Sequence, residues 1–560
     1  MRRIKELLSE IYGSPTAQAA FERLQPVIEK FPAQKRKKKA FFSQDDVVLI
    51  TYGDSLKKDG QAPIATLHEF ARDYLQGAIS TVHFLPFFPY SSDDGFSVMD
   101  FFEISPELGS WVNVTDIGND FQLMFDYVVN HFSSKSQWFD NYLAGKKGFE
   151  DFAIEVDPAS DLTRVTRPRS LPLLSEYKKK DGRRVYLWTT FSADQIDFNF
   201  ASLDVLAKMT EVLLFYVQQG ATILRQDAIA YLWKEIGTTC IHLPQTHAVV
   251  KLFRAILDLV APDVMILTET NVPHAENISY FGNGRDEAQM VYNFTLPPLL
   301  FYSFVKEDAT VLTEWAKGLD LASTSNTFFN FTASHDGIGV RPLEGILPPR
   351  ELDALIDVVK RNGGQVSYKS NPDGTHSPYE LNITYIDAIL ADKYSTRADR
   401  FLASQSVQYA LPGVPATYIH SLLGSRNWTA GVQQTGRART VNREKLQVEK
   451  VIRELKNPAS FRSQVFYPYI DLIKIRKKQP AFHPNAEFEI LEMGSQVFGL
   501  RRSSGDQTLF ALTNVTASEA TVSISKTETV NTLTDLISGE SYTSKNLKLK
   551  PYQFVWLTAD

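Results

Sequence analysis

GATILRQDA, residues 220–228, is the stretch on which the reading of this chain turns. Ala221, Thr222, Ile223 and Leu224 form a short apolar run with the character of a strand. Arg225 and Asp227 arrive where that strand should end. Side chains alternate along a strand, so Arg225 and Asp227 share one face while Leu224 and Gln226 share the other. A guanidinium two residues from a carboxylate keeps that carboxylate ionised and fixes its angle. An ionised, held aspartate at a strand end suits covalent attack on a sugar's anomeric carbon. The same pair also serves as a purely structural strand cap.

Three further strand ends bear on that choice. Residues 120–131 (DFQLMFDYVVNH) deliver Asp126, Asn130 and His131 after an apolar run. Residues 263–270 (DVMILTET) deliver Glu269, and residues 327–336 (TFFNFTASHD) deliver His335 and Asp336. In a barrel of parallel strands the active site lies at the C-terminal strand ends. Strand-like runs recur at 47–53, 81–88, 120–129, 221–228, 263–270, 290–294, 327–332 and 414–421. Helical patterns lie between several of them, which predicts an α/β fold with a (β/α)8 TIM barrel.

The gap of about ninety residues between the third and fourth strands is too long for one helix. The expected organisation is therefore a helical extension at 1–45, barrel at 46–131, and an inserted loop-rich subdomain at 132–200. Barrel resumes at 201–484 with a long loop at 337–385, and an antiparallel β domain follows at 485–560.

Composition bounds the function class. The chain has 560 residues, 43% apolar and 22% charged, with a net charge of −6, which disfavours nucleic acid and anionic membrane as partners. No apolar run approaches the ~20 residues that span a bilayer. The start, MRRIKELLSEIYG, lacks a secretory apolar core. The basic run at 35–39 reads as a solvated helix end. A single cysteine, Cys240, precludes an intrachain disulfide, agrees with a reducing cytoplasm, and reads as a core residue. The expectation is a cytoplasmic enzyme of small molecules.

DYVVNH (126–131), RQDA (225–228), TETN (268–271) and ASHD (333–336), in that order, resemble the four short regions of the α-amylase superfamily, glycoside hydrolase family 13. FFPYSSDDGF (87–96), WTTF (188–191) with QID (195–197), and GTTCI (237–241) resemble its sucrose phosphorylase branch. TETNVPH (268–274), SYFG (279–282), TRPRSLP (166–172) and NPDG (371–374) are most similar to glucosylglycerate phosphorylases.

The resemblance implies roles. Asp227 aligns with the catalytic nucleophile, Glu269 with the general acid/base, and Asp336 with the third carboxylate that binds sugar hydroxyls. His131 and His335 resemble histidines that bind ring hydroxyls. Asp93 and Arg443 resemble a clamp on the far hydroxyls, Gln195 another hydroxyl contact, and Phe96 an apolar platform. Tyr231 stands where amylases hold a further glucose, which argues against long glucans. Arg167, Arg169 and Tyr379 are candidates for inorganic phosphate, the co-substrate. Arg341, Lys369, His376 and Arg426 are candidates for an acceptor carboxylate. Asp126 and Asn130 read as scaffold, and Gln226 has no assigned role. No metal or cofactor is expected, and monomer and homodimer are both open.

The implied reaction is retaining phosphorolysis of a small α-glucoside to α-glucose 1-phosphate through a β-glucosyl ester on Asp227. 2-O-α-glucosylglycerate is favoured over sucrose, sucrose 6'-phosphate and glucosylglycerol. The alternative is a hydrolase or transglucosidase on the same carboxylates.

Overall fold

Eight parallel strands close on themselves: β1 (Val48–Thr51), β2 (Thr81–Phe84), β3 (Gln122–Val128), β4 (Ala221–Asp227), β5 (Met265–Thr268), β6 (Met290–Tyr292), β7 (Thr327–Phe331) and β8 (Val414–Tyr418). The computed structural model describes residues 1–35, 40–321, 323–371, 373–390, 397–524 and 532–559. Val48 of β1 lies opposite Thr81 of β2 and Ala416 of β8, and this double pairing seals the barrel. Buried on both faces, the strands carry near-continuous apolar runs in place of alternation.

All eight expected strand positions hold strands, but several are shorter. The run at 81–88 pairs only to Phe84, and Phe87 and Phe88 are fully buried beyond it. Phe87 packs against Phe84, Phe125 and Trp111, so the apolar residues serve the core from a loop. The run at 414–421 leaves the barrel at Tyr418 and turns helical at Ile419–Leu422.

The helical extension ends earlier than expected. Helices Arg2–Tyr12 and Ser14–Glu29 flank Gly13, whose φ of 77° favours glycine. They pack on the barrel helices Pro244–Val260 and Leu203–Gln218 through Ile4, Leu7, Leu8 and Leu24. Helix stops before Phe31-Pro32, where the proline restricts the preceding residue. In the basic run, residues 36–39 lie outside the described residues.

Residues 132–200 are less loop-like than expected. They hold helix Gln137–Leu143, the hairpin Leu174–Lys178/Arg184–Trp188, and strand Gln195–Asp197 pairing with His131–Ser133. Phe132 stacks on Phe198 at 4.5 Å, with Phe139 and Phe152 around them, so the insertion has an aromatic core. The stretch 337–385 is likewise more than a loop. Helix Pro349–Arg361 and the hairpin Gln365–Ser370/His376–Asn382 occupy most of it, and Pro372 lies outside the described residues.

After Pro480–Phe482 come antiparallel strands, including Glu487–Leu491, Val497–Ser504, Gln507–Asn514 and Phe554–Ala559 in one six-stranded sheet. Trp556 of this sheet meets Phe482 at 4.7 Å.

Candidate active site

β4 ends as its alternation requires. Arg225 Nη1 contacts Asp227 Oδ1 at 2.7 Å and also bonds Asp126 on β3, while Arg225 Nε donates to the Tyr292 hydroxyl at 3.1 Å. Phe96 and Tyr292 lie against the guanidinium, 5.7 and 5.5 Å from its centre. Behind this, His83 Nε2 lies 2.8 Å from Asp126 Oδ2, so Asp126 is scaffold. One nitrogen shared between two carboxylates alters the expectation that Arg225 sets Asp227's ionisation. Burial raises Asp227 from its ordinary value, and Arg225 opposes that rise without cancelling it.

Ala228, immediately after Asp227, has φ 51°, a conformation uncommon outside glycine and asparagine. Its N–H thereby donates to Glu269 Oε2 at 3.0 Å, at the end of the neighbouring strand β5. Burial pushes Glu269 up to about 7; the Asp227 and Asp336 charges add to the rise and Arg225 resists it. Asp227 has an ion pair, whereas Glu269 is held by a backbone N–H. The pair therefore suits a division into an ionised attacking group and a protonated acid near neutral pH.

Asp336 follows β7. Burial would raise it, but the guanidinium groups of Arg439 and Arg443 hold it below the usual range. Arg439 contacts Asp336 Oδ1 at 2.6 Å and clasps Glu380 through Nε at 2.9 Å and Nη2 at 2.5 Å. Sequence reasoning passed over Arg439 and Glu380. The dense arginines of GRARTVNR, residues 436–443, were the available signal.

Around these carboxylates one cavity, of about 1030 Å³ with its mouth, is lined by Asp93, Phe96, His131, Gln195, Tyr231, His335, Arg169 and Tyr379. Phe96 stacks on His335 with centroids 4.6 Å apart. Burial and nearby arginines hold His335 neutral. His131 Nε2 lies 3.0 Å from the Phe96 carbonyl and 3.2 Å from Gln195 Nε2, and Gln195 donates to Asp93 at 3.3 Å. Asp93 and Asp94 both have positive φ, 55° and 49°. Gly95 after them lies so near Pro86 that a Cβ would stand 2.6 Å from its carbonyl oxygen.

Two expected residues are placed differently. Arg443 pairs with Asp94, donates to the His335 carbonyl at 2.8 Å and brings Nη2 to 3.8 Å from Asp336 Oδ1, while Arg439 lines the cavity itself. Arg167 turns outward and bonds the Leu171 carbonyl, four residues away, while Arg169 faces the cavity over the rings of Phe191 and Tyr379 at 6.0 and 5.7 Å. Residues two apart share a face in an extended segment, but the chain bends at residues 168–170, and that bend splits the TRPR fork.

Beneath the insertion, Lys234 Nζ contacts Asp197 Oδ2 at 2.5 Å and Asn130 Oδ1 at 2.8 Å, all three side chains being buried. Among the described residues no group of three or more His, Cys, Asp or Glu side chains is placed to hold a metal. Cys240 is buried beside Val156, Val165, Leu173 and Trp188, as a core thiol. Gln226 faces away from Asp227, its amide buried without a hydrogen-bond partner among the described residues.

A closed parallel barrel whose C-terminal rim gathers a guanidinium-held aspartate, a glutamic acid near pH 7 and a third aspartate defines a glycoside-processing barrel enzyme. The family of the alpha amylase catalytic domain matches residues 72–337. Glucosylglycerate phosphorylase of Spirochaeta thermophila is 49% identical over 99% of this chain and 98% of its own length. Its namesake in Escherichia coli is 44% identical over 99% and 100%. Among solved structures, sucrose 6F-phosphate phosphorylase from Thermoanaerobacter thermosaccharolyticum aligns with a TM-score of 0.76 at 25% identity, over 90% of this chain and 99% of that one. The chain belongs to the α-amylase superfamily, glycoside hydrolase family 13, in its sucrose phosphorylase branch.

Proposed function

We propose that the chain is a retaining glycoside phosphorylase that moves a glucosyl unit from 2-O-α-glucosylglycerate to inorganic phosphate. The Asp227 carboxylate attacks the anomeric carbon while Glu269 gives its proton to the leaving glycerate oxygen, forming a β-glucosyl ester. A phosphate oxygen then attacks the same carbon, Glu269 takes the phosphate proton, and Asp227 leaves, giving α-glucose 1-phosphate. Asp336 and the His131, Gln195 and Asp93 group grip the sugar as charge develops on the ring. Metal and cofactor play no part in these steps.

The observation that carries phosphorolysis over hydrolysis is Arg169. It lies on the cavity beside Tyr379 and makes no ion pair among the described residues. A cation left open at the mouth suits an anionic nucleophile. The preference for glucosylglycerate rests on the full-length similarity to proteins of that name. We place the enzyme in the cytoplasm, whose reducing conditions suit a chain with the single thiol Cys240. No helix among the described residues is long and apolar enough to cross a membrane.

The test is release of α-glucose 1-phosphate from glucosylglycerate, glucosylglycerol, sucrose and sucrose 6'-phosphate, each with and without phosphate. Phosphate-dependent release from glucosylglycerate is expected. Free glucose at equal rates in both buffers would overturn the reading in favour of a hydrolase.

A further inference from the structure

Asp194 stands directly before the strand Gln195–Asp197, and its side chain is not part of the cavity lining. Its carboxylate is nevertheless the meeting point of three segments that do reach the cavity. Oδ2 accepts hydrogen bonds from the hydroxyls of Ser91 and Ser92, each at 2.5 Å, and of Ser97 at 2.8 Å. Oδ1 accepts from the Ser134 hydroxyl at 2.7 Å, and the Asp194 carbonyl accepts from the Ser134 N–H at 2.9 Å. Ser91 Oγ also lies 2.5 Å from Ser133 Oγ. An ionised carboxylate only accepts, so these hydroxyls all turn their protons towards it. Burial would raise Asp194, and the bonds from Ser91, Ser92, Ser134 and Ser97 hold it below its ordinary value.

Each segment brings a different group to the cavity. Ser91, Ser92 and Ser97 bracket Asp93 and Phe96, Ser133 and Ser134 follow His131, and Asp194 itself precedes Gln195. The first segment is the strained one. Asp93 and Asp94 are consecutive non-glycine residues at φ 55° and 49°. Such a conformation persists only where its surroundings over-determine it. Asp194 supplies that constraint from outside, because three of its hydrogen bonds fall on serines at either side of the strained pair. The groups so carried meet one another at the cavity wall. Gln195 Nε2 donates to Asp93 Oδ2 at 3.3 Å and lies 3.2 Å from His131 Nε2. The strand Gln195–Asp197 also pairs with His131–Ser133, so a shift at Asp194 is passed to both.

We propose that Asp194 is a positioning residue for glucosyl transfer: it locks Asp93, Phe96, His131 and Gln195 into one unit around the sugar ring and touches no substrate itself. This rests on the reading above that a glucosyl unit is transferred in this cavity, and it is independent of which acceptor the enzyme uses. The unit is set before substrate arrives, so its ordering is not charged against binding or the transition state.

Two reactions of the full-length enzyme present the same ring: phosphorolysis of glucosylglycerate and arsenolysis of α-glucose 1-phosphate. In D194A, kcat/KM should fall roughly 100-fold for both donors alike, as misplacing positioned groups by about 1 Å does. The loss should fall on kcat more than on KM, because contacts to the ring strengthen as charge develops on it. D194N, which keeps the shape and one accepting oxygen, should lie between D194A and wild type. Thermal unfolding sets a temperature at which each variant is folded. Folded D194A with wild-type kcat, a lower melting temperature being its only change, would overturn the proposal, and so would a loss confined to one donor. Where D194A does not fold, the double variant S92A/S97A, which frees the loop and keeps the carboxylate, decides, and wild-type kcat in it overturns the proposal. Failure of the wild type to release glucose 1-phosphate from glucosylglycerate would sink the substrate reading alone, and the arsenolysis comparison would then decide for Asp194.

Discussion

In the proposed mechanism Glu269 carries the proton, and burial, backed by two neighbouring carboxylates, pushes its pKa up to about 7. The acid must be protonated to release the aglycone, so kcat/KM should fall as pH rises through about 7. E269Q should lose that limb, together with on the order of 10²–10⁴ of the rate on a poor leaving group. The linkage sign is opposite to that of an ordinary paired carboxylate. The folded protein keeps a proton that the unfolded chain releases from about pH 4.3 upward, so folding loses stability between there and the raised value. E269Q should therefore be more stable than wild type at pH 8, by roughly 3–4 kcal/mol and with a higher melting temperature, and show no advantage at pH 4. Equal melting temperatures at pH 8 would contradict the raised value. Asp227 and Glu269 were legible in the sequence because each ends an apolar run, a local signal. Arg439 was not, since its partner Glu380 lies 59 residues away in sequence.

The inserted element is pinned to the barrel by one buried ammonium. Lys234, after β4, reaches Asp197 of the insertion and Asn130 after β3, 104 residues away. Burial lowers its pKa and Asp197 opposes the fall. Removing one member of a buried pair strands the other charge, so K234M should cost about 3–5 kcal/mol. Thermal or urea unfolding measures this, and a loss under ~1 kcal/mol would mean that Asp197 is satisfied by Thr190 and Asn130 without the ammonium. The hairpin Gln365–Ser370/His376–Asn382 shows a different limit of sequence reading. Turn residues at its centre advertised a loop, while the flanking pairing that carries Tyr379 and Glu380 to the cavity has little apolar alternation to announce it.

At the scale of the molecule, the two N-terminal helices complete the barrel's outer layer. Leu24 is fully buried in that contact, so L24A should destabilise the chain by about 2–5 kcal/mol. Kinetic constants of the folded variant should match wild type, because the helices pack on Pro244–Val260 and Leu203–Gln218, away from the strand ends that carry the site. Altered kinetics at a temperature where L24A is fully folded would count against that separation.

The sequence alone determined the eight strands, their order and the carboxylates at their ends. A strand buried on both faces must be written as an unbroken apolar run, and the polar group that ends it is adjacent in the chain. The tertiary structure decided which cation meets which anion: Arg439 over Arg443 on the cavity, Arg169 over Arg167 beside Tyr379, and Lys234 under the insertion. Those choices depend on the close approach of distant segments, where Coulomb energy changes steeply with distance and burial, and local patterns of residues carry no record of either.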